Sequence, residues 1–198
     1  MSADKVQLIK NSAAQAELAF ARSPHQQRVE AFMRGAKQEV PLRPTVPSDA
    51  VLILRAKLIF EEALETINAL GVQILVAGTN SGPVIHKGGE FQTAINFPDP
   101  GAENCGGVAF HSFDVVAACS MVGVADGVGD IKVVSTGTLS AFGIADQILQ
   151  EEVDYNNLLK FAEGHSFRED GKLIKPPGHV GPKVAEILRA QGALEEDL

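Results

Sequence analysis

A chain of 198 residues, 45% of them hydrophobic and 21% charged, is long enough to bury a core and too apolar to be disordered. Its net charge of −8 argues against a nucleic-acid surface, because binding a phosphate backbone needs a basic face. The apolar runs are too short or too rich in glycine to span a membrane, MSADKVQLIKNSAAQ holds no signal-peptide core, and two cysteines without a CxxC pair suit a reducing cytoplasm.

In chain order, residues 3–21 read as an amphipathic helix. Val6, Ile9, Ala13, Ala16 and Phe20 fall on one face, and the segment 1–22 forms an N-terminal arm. Ser23-Pro24 is an N-cap followed by proline at the first helical position, so a second helix runs from there to about Arg34 and stops at Gly35. KQEVPLRPTVP, 37–47, has three prolines and reads as an extended linker. Ser48 can cap a long helix over 49–70, which Gly71 ends. Residues 72–112 alternate short β-branched runs with glycine and proline and read as a β-rich insertion. Within it Phe91, Thr93, Ile95 and Phe97 occupy one face of a strand pattern over 91–97. In 113–143 β-propensity competes with helical spacing of Ala117, Ala118, Met121, Val124, Ala125 and Val128, and the spacing predicts a helix. A cleaner helix begins near Ala145 and reaches Gly164. The C-terminal part, 165–198, is a basic loop followed by a helix at about 183–191.

The long helix 49–70 holds the first chemistry. Glu61, Glu62 and Glu65 lie three and four residues apart and project into one arc, with no lysine or arginine following them. Asp126 and Asp130, four apart, make a second acidic face on another segment. Packed together, the two faces offer only oxygen ligands, which suit Mg²⁺ or Mn²⁺ rather than Zn²⁺ and point to phosphate chemistry. The plainer alternative is a pair of solvated acidic faces. Asn156, Asn157 and Lys160, then Lys172 and Lys175, supply polar and basic groups that could hold phosphate, or could be ordinary surface residues. The five histidines show no HxxxH or HExxH spacing. GVGD and STGT lack the grammar of a P-loop, and no serine sits in a nucleophile elbow.

The order LRAKLIFEEALETINALGV, ADGVGDIKVVSTGTLSAFGI, EEVDYNNLLKF and DGKLIKPPG resembles the all-α nucleoside triphosphate pyrophosphohydrolases. More narrowly it resembles the MazG-like and phosphoribosyl-ATP pyrophosphohydrolase-like proteins common in bacteriophages. The resemblance covers roughly 24–71 and 112–185. It implies an all-α helical bundle, here with a small β-hairpin insertion, that assembles as a homodimer or homotetramer in the cytoplasm (the host's, if phage-encoded). It also implies cleavage of a nucleoside triphosphate between the α- and β-phosphates, giving a monophosphate and pyrophosphate. Carried over by position, the EExxE motif is Glu61, Glu62 and Glu65, and the aspartate of ExxD is Asp130. Asn157 and Lys160 match the asparagine–lysine element, and Lys172 and Lys175 the basic loop beyond it. Glu62, Glu65 and Asp130 are then the principal Mg²⁺ or Mn²⁺ ligands. Glu61 serves a second metal or orients the attacking water as a base, and the lysines, Lys160 among the catalytic groups, offset charge on the departing pyrophosphate. Some phage relatives act on dGTP, which makes a purine deoxynucleotide the first substrate to expect.

The chain departs from that pattern twice. Gly127 stands where ExxD has its glutamate, and Asp126 is one position earlier, about 100° around the helix. The number of metal ions stays open. The stretch 72–112 is an insertion, expected to pack on the bundle or a partner subunit and there to cover the base site or extend the oligomer interface. Two other readings remain beside the hydrolase: a catalytically inactive bundle that binds nucleotide or serves as an interaction module, and a phosphoribosyl-ATP pyrophosphohydrolase.

Overall fold

A computed structural model describes residues 18–78, 85–87, 90–92, 108–169 and 171–197. The chain is mostly helical, as the spacing of its apolar residues predicts. It divides into two compact units, residues 1–59 with 132–198, and residues 60–131. No helix among the described residues is long and apolar enough to cross a membrane.

In the first unit, helix α1 spans Pro24–Gly35. Ser23 caps it by accepting the Gln26 N–H at 3.1 Å, and Pro24 fills the first turn, where no amide donor is needed. Gly35 is its last residue. The linker that follows carries no regular structure, and Thr45 donates its N–H to the Phe142 carbonyl at 3.0 Å. Helix α2 spans Asp49–Ala69, α3 Met121–Ala141 and α4 Asp146–Leu159. The N-terminal part of α2 and the C-terminal part of α3 belong to this unit. A small apolar cluster of Val29, Met33 and Ala141, flanked by Val40 and Val51, forms its core. Polar groups do much of the remaining work. Gln26 is fully buried; its amide donates to Ser140 Oγ at 3.1 Å and the Ile144 carbonyl at 2.7 Å, while its oxygen accepts the Asp146 N–H at 2.9 Å. Gln191, just after the short helix α5 (Val184–Ala190), grips Ala145 by both its N–H at 2.9 Å and its carbonyl at 3.0 Å. Two buried glutamines thus satisfy the backbone of the corner between α3 and α4, which would otherwise be orphaned.

Arg55 is an exception to this matching, as is the buried Nε2 of His25. Arg55 is only 6% exposed, donates from Nη2 to Gln38 Oε1 at 2.5 Å, and keeps a buried Nε with no partner. Burial lowers its pKa from the ordinary arginine value.

The second unit contains the C-terminal part of α2, ended by Gly71 at φ 73°, and the N-terminal part of α3. The Gly71 carbonyl accepts the amides of Val116 at 2.9 Å and Ala117 at 3.2 Å. A methyl group at position 71 would meet the Ala117 carbonyl oxygen at 2.3 Å, so glycine is required there by both φ and space. Strand β1 (Val72–Gly78) pairs antiparallel with β4 (Val108–Val115), from Val72↔Val115 to Gly78↔Val108. The register shifts between Leu75 and Val76, leaving His111 as the extra residue of a bulge. A second antiparallel pair joins β2 (Ile85–Lys87) to β3 (Glu90–Gln92).

Two boundaries differ from expectation. The helix expected over 113–143 begins only at Met121: 113–115 belong to β4, and Ser120 caps α3 by accepting the Gly123 N–H at 3.1 Å. Strand pairing there outweighs the helical spacing of the alanines. Helix α4 stops at Leu159 rather than Gly164, because the amides of Lys160, Phe161 and Ala162 turn back to carbonyls three residues earlier. The basic loop also contains a small hairpin, β5 (Ser166–Phe167) with β6 (Leu173–Ile174). The N-terminal helix, apart from 18–20, and the strand pattern beyond Gln92 lie outside the described residues.

Candidate functional site

In the second unit α2 and α3 run antiparallel and touch through small residues. A methyl group built on Gly127 would lie 2.4 Å from Thr66 Oγ1 and 3.2 Å from its Cα, and one on Gly123 would lie 3.1 Å from the Ala69 Cβ. Thr66 is buried, 7% exposed, and donates its hydroxyl back to the Glu62 carbonyl at 2.8 Å. One helical turn from this contact along α2 is Glu62, and one turn the other way along α3 is Asp130.

That approach gathers the acidic residues. Glu65, Asp126 and Asp130 line one recess of about 420 Å³, together with Asn68, Ala69, Ser120, Gly123 and Gly127. Glu62 stands beside them, half-buried. Its pKa is raised, first by partial burial and then by the charges of Asp130, Glu65, Glu61 and Asp126. Glu62 therefore feels the other four carboxylates, two of them across the helix crossing. None of them carries a hydrogen bond or ion pair from a side chain among the described residues. Glu61 is exposed and does not line the recess.

The donor set is chemically a hard-cation set: carboxylate oxygens with an amide oxygen from Asn68 and a hydroxyl from Ser120 available at the rim. Among the described residues no three His, Cys, Asp or Glu side chains already converge as a metal-holding group. The residues fit a divalent cation by type and charge, with the carboxylates spread around the recess.

Gly127 now has a physical account. Any side chain there, a glutamate included, would run into Thr66, so the position cannot contribute a ligand without moving the helices apart. Asp126 lines the recess in its place. Asn68 and Ser120 were missed by sequence reasoning. A serine three residues before Gly123 is an N-cap signal that could have marked Ser120; for Asn68 only its position three after Glu65 hints at the shared face.

The basic candidates belong to the first unit. Lys160, the C-cap of α4, donates from Nζ to Asn157 Oδ1 at 2.5 Å. Lys172 and Lys175 are exposed, either side of β6. Neighbouring Asn156 is buried and structural: it donates to the Val180 carbonyl at 2.8 Å, and its oxygen lies 3.1 Å from His179 Nε2, which ties the loop to α4. A larger recess in this unit, about 640 Å³, is lined by His25, Lys132, Ser135, Thr136 and several carboxylates. All three of those carboxylates are already engaged, Asp146 with Ser23, Glu151 with Gln147 and Asp154 with Gln150, so the unpartnered acidic recess is the stronger chemical site. Comparison with protein-family models and with curated proteins gives no match for this chain.

Proposed function

We propose that the protein is a metal-dependent nucleoside triphosphate pyrophosphohydrolase of the all-α type, taking a purine deoxynucleotide such as dGTP. The observation that supports this reading is the recess itself: Glu65, Asp126 and Asp130 from two antiparallel helices, with Glu62 beside them and no counter-ion among the described residues. Glu62, Glu65, Asp126 and Asp130 are the residues that would hold Mg²⁺ or Mn²⁺, which when bound would supply Lewis-acid polarisation of the α–β phosphoanhydride. Glu61, exposed next to this set, orients the attacking water and takes its proton. Asn157, Lys160, Lys172 and Lys175 bind the polyphosphate, and Lys160 offsets charge as pyrophosphate departs.

The same reading includes self-association. Met121 is 85% and Val122 82% exposed, and Phe60, Leu64 and Val128 are exposed in the same unit. Monomeric proteins rarely leave so many large apolar side chains in water. A homodimer or homotetramer covers them. Size-exclusion chromatography with light scattering measures this directly, and a monomer at micromolar concentration removes this part of the reading.

The test of activity is a panel of ribo- and deoxyribonucleoside triphosphates incubated with Mg²⁺ or Mn²⁺ and scored for pyrophosphate. Release of pyrophosphate and a monophosphate supports the hydrolase. Binding of nucleotide without turnover supports the inactive bundle. Turnover of phosphoribosyl-ATP alone moves the assignment to that substrate.

A further inference from the structure

The acidic rows do not meet by accident of their own packing, because like charges on facing helices push the helices apart. Something at the crossing must hold the interval. The two helices approach each other closely where Gly127 on α3 meets Thr66 on α2. The missing Cβ of Gly127 would sit 2.4 Å from Thr66 Oγ1, well inside contact distance. Thr66 is buried and fixed at both ends, by its own backbone and by the bond from its hydroxyl to the Glu62 carbonyl at 2.8 Å. That bond joins the contact residue to the backbone of an acidic residue one turn away. Glycine at 127 is costly in the middle of a helix, by about 1 kcal/mol relative to alanine, so the position has a reason to keep it. Gly129, two residues on, has open space around its missing Cβ and carries no such reason.

We propose that Thr66 and Gly127 are a positioning pair whose contact sets the interval between the acidic row of α2 and that of α3, and so sets the span across which a cation is held. Neither side chain touches the cation or the substrate. The pair rests on the metal-site reading only for what the interval serves; the interval itself is a property of the two helices. The flanking contact of Gly123 with Ala69 continues the same close approach one turn further along. Glu62 and Asp130 lie one turn on the other side of it, and Asp130 is the strongest of the four charges acting on Glu62.

The test is a size swap read in two ways. Gly127→Ala inserts a methyl group against Thr66, and Thr66→Ala in the same chain removes the hydroxyl at 2.4 Å, the closest atom the methyl group meets, leaving the Cα and Cβ of residue 66 at 3.2 Å, a gap that a shift of a few tenths of an ångström relieves. The first readout, in metal-free buffer, is the gain in Tm produced by Glu62→Gln, which removes one partner of the repulsion across the crossing. That gain is present in the wild-type background, falls to less than half in Gly127→Ala, and returns in Thr66→Ala/Gly127→Ala. A contact that served packing alone would lower Tm without changing the gain. The second readout is the Kd for Mn²⁺, which rises by on the order of tenfold in Gly127→Ala and recovers in the double variant, as expected when a group that orients metal ligands is disturbed. If Gly127→Ala does not fold, the double variant carries the comparison and must show the wild-type gain and Kd. An equal gain in all backgrounds, no gain in the wild type, or a double variant that fails to fold overturns the proposal. A wild-type protein that binds no Mn²⁺ removes the metal-site reading instead, and the metal-free readout still decides the positioning pair.

Discussion

Asp146 receives both donors of Ser23: the backbone N–H reaches Oδ1 at 2.7 Å and the hydroxyl reaches Oδ2 at 2.5 Å. Ser23 is the N-cap of α1, and Asp146 lies in the first turn of α4. One carboxylate therefore ties the starts of two helices together, and it sits where the α4 dipole favours negative charge. Hydrogen bonds to a charged group are worth about 1.5–3 kcal/mol each. Asp146→Ala should lower the unfolding free energy by roughly 2 kcal/mol, read from urea denaturation, whereas an exposed neighbour such as Gln150→Ala should change it by less than about 0.5 kcal/mol.

Glu65→Gln should abolish pyrophosphate release while leaving the circular dichroism spectrum and Tm close to wild type. The amide keeps the shape of the carboxylate and loses its charge, and the recess offers it no structural bond to break. Asp126→Asn tests the departure from the ExxD pattern. A fall in kcat/KM of about a hundredfold or more, partly restored by extra Mn²⁺, assigns Asp126 as a ligand. Wild-type turnover in Glu65→Gln at saturating metal would sink the metal-site reading.

Stability should depend on pH through Glu62. An unperturbed glutamate titrates near 4.5, and folded Glu62 titrates higher, because partial burial and then Asp130, Glu65, Glu61 and Asp126 disfavour its anion. Between the two values the folded state keeps a proton that the unfolded state has released. The folded state therefore binds more protons there, and stability falls as pH rises through that window. Above the window the destabilisation is complete. Thermal melts in chelator across this range should show the fall, and Glu62→Gln should flatten it. Superimposable profiles for the two proteins would remove this account of Glu62.

Arg55 should tolerate a neutral replacement better than a small one. Its guanidinium is buried against Gln38 with no carboxylate partner among the described residues, so its charge is held out of water without compensation. Arg55→Met keeps most of the volume and removes the charge; its Tm should equal or exceed wild type. Arg55→Ala leaves a cavity beside Gly137 and should lose about 2–3 kcal/mol. A methionine variant that loses as much stability as the alanine variant would mean that the charge itself holds this region together.

Helix ends were the most legible features, because their signals are local. Ser23-Pro24 and Gly35 bracket α1, and Gly71 follows α2 at the positive φ that glycine favours. The carboxylates were legible as a set from helical spacing alone. Which of them share a recess was not, because Glu65, Asp126 and Asp130 meet only through the crossing of two helices, while Glu61 is not among the residues that line it. Gly127 read as a lost ligand until Thr66 appeared opposite it. The start of α3 was misjudged because 113–115 pair with β1, whose partner residues lie about forty positions earlier in the chain. Local propensity carries no information about such a distant partner. The small hairpin at β5 and β6 had a visible signal in Asp170-Gly171, but strands of two residues leave no periodicity to count.

The pairing of β1 with β4 leaves residues 78 and 108 side by side, partners in one antiparallel ladder. Whatever sequence joins them starts and finishes at the same place. Its length is nearly decoupled from the stability of the helices, since doubling a loop adds only about 0.6 kcal/mol of closure cost. The position therefore behaves as a socket. A foreign peptide tag, a fluorescent reporter or a circular-permutation break could be seated between residues 79 and 107 with α2 and α3 left in register. Natural selection would have had the same freedom, adding or trimming material there without redesigning the acidic recess.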